Sequence, residues 1–347
     1  MEFKYRIALA LILILSFHKD LIAQDMLFSQ PGSCAIQSNS AFTGLFNTKL
    51  RAGGVYRSQY FNVPGNTDFS SKSIFFDARF NLINKDYISF GTILSDDKYA
   101  GIGRATGLIN FSYAKMLNYN RYHRHNSYLI FGAQLGMGKV YNESGKYSFG
   151  IQFDKSLQVF DNKIPNGEII TNFRNYPDIN AGLIYYVNRN SDNFYIGIAG
   201  SHINQANISV FQRTTSGLKI RYSFLSGGQI GMGSEIKLLP VVIFNFQSGL
   251  FNAMAGAQFG FSYDESEVNS VRFGLFLRTS ESISPNKISD VIISGSFRFK
   301  KLTFGLSYDL NVSSLRRITG MNGAFEISSF YLIGENPVKN VLTCPDL

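Results

Sequence analysis

Apolar and polar side chains alternate with a period of two along most of this chain, most clearly from Leu302 to Tyr331. Phe304, Leu306, Tyr308 and Leu310 are interleaved with Thr303, Gly305, Ser307 and Asp309. After a polar break at Ser313 to Thr319, which carries Arg316 and Arg317, Phe325, Ile327 and Tyr331 are interleaved with Ala324, Glu326 and Ser328. Successive side chains of a strand point to opposite faces, so this stretch predicts an antiparallel pair with one apolar and one small or polar face. Ile74, Phe76, Ala78 and Phe80 oppose Phe75, Asp77, Arg79 and Asn81 in the same way. So do Leu129, Phe131, Ala133, Leu135 and Met137 against Gly132, Gln134, Gly136 and Gly138.

The pattern predicts fourteen strands, near 49–60, 71–83, 86–95, 104–117, 126–140, 176–188, 192–203, 216–231, 236–248, 250–264, 268–279, 288–300, 301–312 and 320–332. Most are long enough to cross a bilayer at a tilt of about 45°. Connections after odd strands are mostly long (61–70, 96–103, 141–175, 204–215, 280–287, 313–319), and those after even strands mostly short (84–85, 189–191, 232–235, 265–267, none at 300/301). The segments 118–125 and 249 break the rule. Outer-membrane barrels have short periplasmic turns and long outer loops, and an even strand number returns both termini to one side. The expectation is an all-β, transmembrane, antiparallel outer-membrane barrel of about 14 strands with both termini periplasmic. A soluble β-sandwich shares the alternation but gives no reason for loop length to follow parity.

Composition narrows the class. Aromatics are 15% of the chain, with 32 glycines, 8 prolines and 2 cysteines, a balance suited to many packed strands. A mean hydropathy of -0.02 is too polar for a helical membrane protein and suits strands with one apolar face. Lys4 and Arg6 precede an apolar run from Ile7 to Phe17, and Ala23 offers a small residue before Gln24. This predicts a signal peptide over 1–23, a periplasmic segment over 24–48, the barrel over 49–332 and a periplasmic tail over 333–347. The formal charge of +9 is matched by lipopolysaccharide phosphate rather than nucleic acid, because no basic, aromatic-interleaved module is present.

Little in the sequence points to catalysis, a cofactor or a metal. His123 and His125 lie in a basic turn, Arg121 to Asn126, without an acidic or thiol partner at ligand spacing. Gly101, Gly103 and Gly107 have the wrong spacing for a dinucleotide loop. Ser201-His202 is one dipeptide, short of a nucleophile, base and orienter. Asp77, Arg79, Arg298 and Glu326 fall on inward faces, where paired charges would polarise a lumen. Cys34 and Cys344 flank the barrel in an oxidising compartment. Tails emerging side by side would let them form a disulfide.

Several short elements carry a family likeness in order along the chain: Gln24 to Gln30 (QDMLFSQ), Asn39 to Gly44 (NSAFTG), Phe149 to Asp154 (FGIQFD), Ile198 to Asn204 (IAGSHIN), Gly305 to Asp309 (GLSYD), Gly323 to Ser328 (GAFEIS) and Cys344-Pro345. Together they resemble the PorP/SprF family, outer-membrane barrels of the Bacteroidetes type IX secretion system. Ser40 and Phe42 depart from the family's Pro and Tyr. The resemblance implies a non-enzymatic accessory component that aids secretion or surface attachment of a large adhesin-like cargo. Its partners would be the cargo's C-terminal signal domain and periplasmic secretion components, with a link to gliding motility. It marks His202, Tyr308, Asp309 and Glu326 as motif positions. The long outer loop, with Phe149, Gln152, Phe153 and Asp154, is the expected cargo contact; a self-packed plug or a lipopolysaccharide contact are the alternatives there. The competing function is a porin-like or hydrophobic-solute channel, since about fourteen strands fit between filled eight-stranded barrels and open porins.

Overall fold

The computed structural model describes residues 25–61, 69–99, 101–120, 125–142, 153–154, 159–160, 173–189, 192–210, 215–233, 235–262, 268–281 and 288–334. The signal-peptide region, Phe149, Gln152, His123 and Cys344 lie outside them. The strands are β1 (Leu50–Gln59), β2 (Ser70–Asn81), β3 (Tyr87–Tyr99), β4 (Ile102–Asn120), β5 (His125–Asn142), a small hairpin β6 (Phe153–Asp154) and β7 (Val159–Phe160), then β8 (Phe173–Arg189) and β9 (Asp192–Ser201). They continue as β10 (Arg221–Gly231), β11 (Ile236–Gln247), β12 (Leu250–Ser262), β13 (Val268–Ser280), β14 (Ile288–Phe299), β15 (Leu302–Asn311) and β16 (Asn322–Ile333). Apart from the hairpin, every strand pairs antiparallel with its neighbours, and β1 pairs with β16 to close the barrel. Each of the fourteen predicted strands corresponds to one barrel strand.

The outward face is apolar because it meets lipid. Ile74, Phe76, Phe131, Leu135, Phe273 and Leu306 are all exposed on it, whereas the intervening Asp77, Gln134, Arg272 and Ser307 are buried. Closure leaves the wall no open edge, so its backbone pairs across continuous ladders interrupted at a few bulges, as a bilayer demands.

Three boundaries differ from expectation. The stretch 96–103 is not a loop: β3 runs to Tyr99 and β4 starts at Ile102. Its acidic residues are satisfied by other strands of the wall, with Asp96 accepting from the Tyr141 hydroxyl of β5 and Asp97 from the Ser71 hydroxyl of β2. β10 starts at Arg221 rather than 216, after a bridge between Asn207 and Gly217. The segment 118–125 shrinks to 121–124, because β4 and β5 extend into it.

The largest difference concerns residues 25–46. They form no segment outside the barrel but run through the lumen, from the long-connection end at Asp25 to the short-connection end at Phe46. A one-turn helix α1 (Ala35–Ser38) and a 3-10 turn (Ser40–Phe42) shape the path. Wall glycines make room for it. A Cβ on Gly132 would stand 2.2 Å from the Ala41 nitrogen, and one on Gly182 would stand 2.0 Å from the Asn39 side chain.

Candidate functional site

The lumen segment meets the wall at three levels. Its root, near the short connections, is an apolar core. Cys34, Ala35, Ile36, Ala41, Phe42, Leu45 and Phe46 pack with inward residues that include Phe75, Tyr87, Tyr128, Ile130, Ile184 and Tyr195. Phe42 meets Tyr195 edge-on at 5.3 Å, a favoured aromatic geometry. Gly44 turns the chain with φ of 76°, and its N–H donates to Asp77 at 2.8 Å. Asp77 is held in turn by a bidentate Arg51 at 3.0 Å. Main-chain carbonyls are capped as well: Ser112 donates to Thr43, Gln134 to Ile36 and Arg79 to Phe46.

At the middle level the wall supplies both signs of charge and the segment supplies neutral groups. The backbone N–H groups of Ser29 and Gln30 donate to Glu326 at 2.6 and 3.0 Å. The Ser29 hydroxyl donates to Asp309 at 2.8 Å and accepts from Arg278 at 2.9 Å and from Arg57. Asp309 pairs with Arg57 at 2.7 Å and Arg278 at 2.8 Å. Buried ions survive only when paired and hydrogen-bonded, and this cluster meets both conditions.

The tip inverts that arrangement. Asp25 lends its carboxylate to Arg104 at 2.6 Å, His202 at 2.9 Å and Arg221 at 3.2 Å. The second ring nitrogen of His202 faces Asp178 at 2.8 Å, so both nitrogens are committed to carboxylates. The adjacent Ser201 hydroxyl accepts from Arg221. This is a structural histidine and not the base of a serine nucleophile. Above the tip lies a cavity of about 420 Å³, lined by Asp25, Arg57, Tyr60, Asp97, Lys98, Asp290 and residues of the long connections.

Three of the four motif residues, His202, Asp309 and Glu326, therefore converge on the lumen segment. Tyr308 does not; its hydroxyl reaches Asn322 within the last hairpin. Of the inward charges read from the pattern, Asp77, Arg79 and Glu326 are buried against the segment, while Arg298 is half-buried beside Thr303. Phe153 and Asp154 form β6, with Phe153 exposed. Cys34 is a free thiol buried in the root, not on a tail outside the barrel. Pattern reading missed Asp25, Ser29, Arg57, Arg104, Arg221 and Arg278. The available signal was the glycines at inward positions, which mark space kept for another piece of chain.

A closed antiparallel barrel with a lipid-facing apolar wall and a lumen filled by its own N-terminal segment defines an outer-membrane β-barrel of the plugged kind. The chain belongs to the PorP/SprF family of type IX secretion system membrane proteins, whose model matches residues 22–331. No curated protein sequence matches it. Among solved structures it is similar to the toluene transporter TbuX of Ralstonia pickettii, with 10% identity and a TM-score of 0.48 over 87% of this chain and 94% of that one. It is also similar to the monoaromatic hydrocarbon channel CymD, with 12% identity and a TM-score of 0.48 over 88% and 94%. A Rhodopseudomonas blastica porin matches at 7% identity and a TM-score of 0.32, over 81% and 98%.

Proposed function

We propose that this type IX secretion barrel works by binding and not by conducting solutes. It would hold a large secreted adhesin-like protein at the cell surface, through that protein's C-terminal signal domain. The observation that carries this reading is the filled lumen. Residues 25–46 occupy the path a solute would take and are tied to the wall at three levels. A solute channel needs a continuous path, and the root closes it with packed side chains.

The contact surfaces then fall at the two ends. Outer-membrane barrels keep short turns in the periplasm and long loops outside. In that orientation the connection between β5 and β8 falls on the outer side, and we assign its Phe149, Gln152, Phe153 and Asp154 to the cargo contact. The short turns and the segment after β16 would face periplasmic secretion components. Loops as long as 143–172 are usually functional or disordered. Deleting 145–170 while leaving the wall intact tests the assignment. The expected result is an inserted, heat-modifiable barrel that no longer co-purifies with a large secreted protein, together with loss of that protein from the surface. Unchanged display and co-purification would refute the loop as the cargo contact.

A further inference from the structure

The tip of the plug occupies a socket that the wall builds without help. Arg104 comes from the start of β4, Arg221 from the first position of β10 and His202 from the residue after β9. All three converge on one carboxylate, that of Asp25. Among the other buried guanidiniums of the lumen, Arg51 has Asp77, and Arg57 and Arg278 have Asp309, anions of the wall itself, while Arg79 lies over the Tyr87 ring and donates to the Phe46 carbonyl. Among the described residues, Arg104 and Arg221 have no wall carboxylate within ion-pair distance; their anion comes from the plug. Both are more than nine-tenths buried, and an uncompensated buried charge is costly. The wall is thus built around an anion it does not supply. It also has donors to spare, since the Nε–H groups of Arg104 and Arg221 find no hydrogen-bond partner with Asp25 seated.

The socket reads main chain too. Gln247 accepts the Asp25 N–H at 3.1 Å, and its own amide is fixed by donating to the Lys219 carbonyl at 3.1 Å. A carboxylate next to a peptide N–H describes an acidic residue of a polypeptide, not a free phosphate or sulfate. The cavity of about 420 Å³ on the far side of Asp25 and Met26 extends to Tyr60, Phe69 and Leu315 at the long-connection end, so a chain arriving at the mouth has space beside the tip.

We propose that this socket is a binding site for an acidic residue of an incoming polypeptide, with Asp25 as its resident internal occupant. The exchange swaps one carboxylate for another against the same two guanidiniums and imidazole, while the apolar root stays packed. Asp25 is tethered, and a short tether competes at an effective concentration in the millimolar range. An outside segment therefore prevails when it adds contacts in the cavity or meets a withdrawn tip. The inference concerns the wall and Asp25 alone and does not depend on the identity of any cargo.

The test uses the full-length barrel in detergent and an N-acetylated peptide copying residues 25–33, DMLFSQPGS, with a fluorophore at its C-terminus. Asp25→Lys sets an ammonium against the guanidiniums and expels the tip; Asp25→Asn is the milder companion, and heat-modifiable migration confirms that each variant is folded. The peptide is expected to bind the Asp25→Lys protein at least about 30-fold more tightly than the unaltered one, with Asp25→Asn in between. Changing the peptide's own Asp to Asn, or adding Arg104→Gln and Arg221→Gln to the protein, should abolish that gain. Equal affinity for all folded forms, no binding to either variant, or binding indifferent to the peptide's carboxylate would each overturn the proposal.

Discussion

The root and the tip of the plug belong to one short segment, yet they are attached by opposite physics. The root is a miniature protein core: Phe42, Leu45 and Phe46 are buried among wall aromatics, and the ion pair beside them, Arg51 with Asp77, lies within the wall. Apolar packing of this kind is nondirectional and additive, and no single polar exchange releases it. The tip buries Met26, but its distinguishing tie is polar. It depends on one carboxylate among two guanidiniums and an imidazole, beside a cavity. One segment can therefore stay anchored at one end and let go at the other.

The largest effect is expected at the root. Phe42→Ala removes an aromatic that is 3% exposed and should cost about 3–5 kcal/mol, read as a lower urea midpoint for the folded barrel. Asp77→Asn comes next. It keeps the shape but strips Arg51 of its counter-charge, and a broken buried pair costs about 3 kcal/mol. A change well under 1 kcal/mol for either variant would erase the distinction between root and tip.

At the tip, global stability should move little, because a tip that loses its charge can withdraw into water instead of forcing the barrel to unfold. Asp25→Asn is expected to shift the urea midpoint less than Asp77→Asn while changing local exposure strongly. A cysteine placed at Met26, buried when the tip is seated, should react with a thiol reagent in the Asp25→Asn background and stay protected beside Asp25. Cys34, in the root, should stay unreactive in both until denaturation. Release of both thiols together would mean that the segment leaves as one unit.

The smallest effect involves Asp86, in the short turn below the root. Desolvation is the largest influence on its carboxyl and pushes its pKa up. The hydroxyl of Tyr113, the ammonium of Lys115 and the Met116 N–H together outweigh it and hold the carboxyl below its ordinary value of 3.8. A carboxyl depressed on folding stabilises at pH values above its unfolded pKa and loses that contribution as pH falls through the lowered one. Asp86→Asn should therefore weaken the turn at neutral pH, and the difference from the unaltered barrel should shrink as pH falls below the carboxyl's ordinary value of 3.8. A difference that persists unchanged into strong acid would point to packing and not charge.

The barrel was legible in the sequence because lipid enforces a rule on every second residue. Ile74, Phe131 and Leu306 have to be apolar, and the partners between them do not. Strand ends were less legible. Asp96, Asp97 and Lys98 look like a loop, but a barrel wall that faces a polar lumen accepts charged residues within strands. The plug was hidden for a different reason. Residues 25–46 have no sustained periodicity, and their partners are far away in sequence, as with Ser29 and Glu326 or Asp25 and His202. Local pattern contains nothing of such contacts. The family-like elements QDMLFSQ, NSAFTG, IAGSHIN, GLSYD and GAFEIS did mark the chain's own contact points, since each contributes a residue to the plug or to its wall. A motif states which residues matter and leaves open what they touch.

Ion conductance across a planar lipid bilayer tests the filled lumen most directly. The full-length barrel should insert and remain electrically silent, and the same barrel lacking residues 25–44 should give stable open steps. Steady, porin-like conductance from the full-length protein, unchanged by removal of those residues, would contradict a plugged barrel.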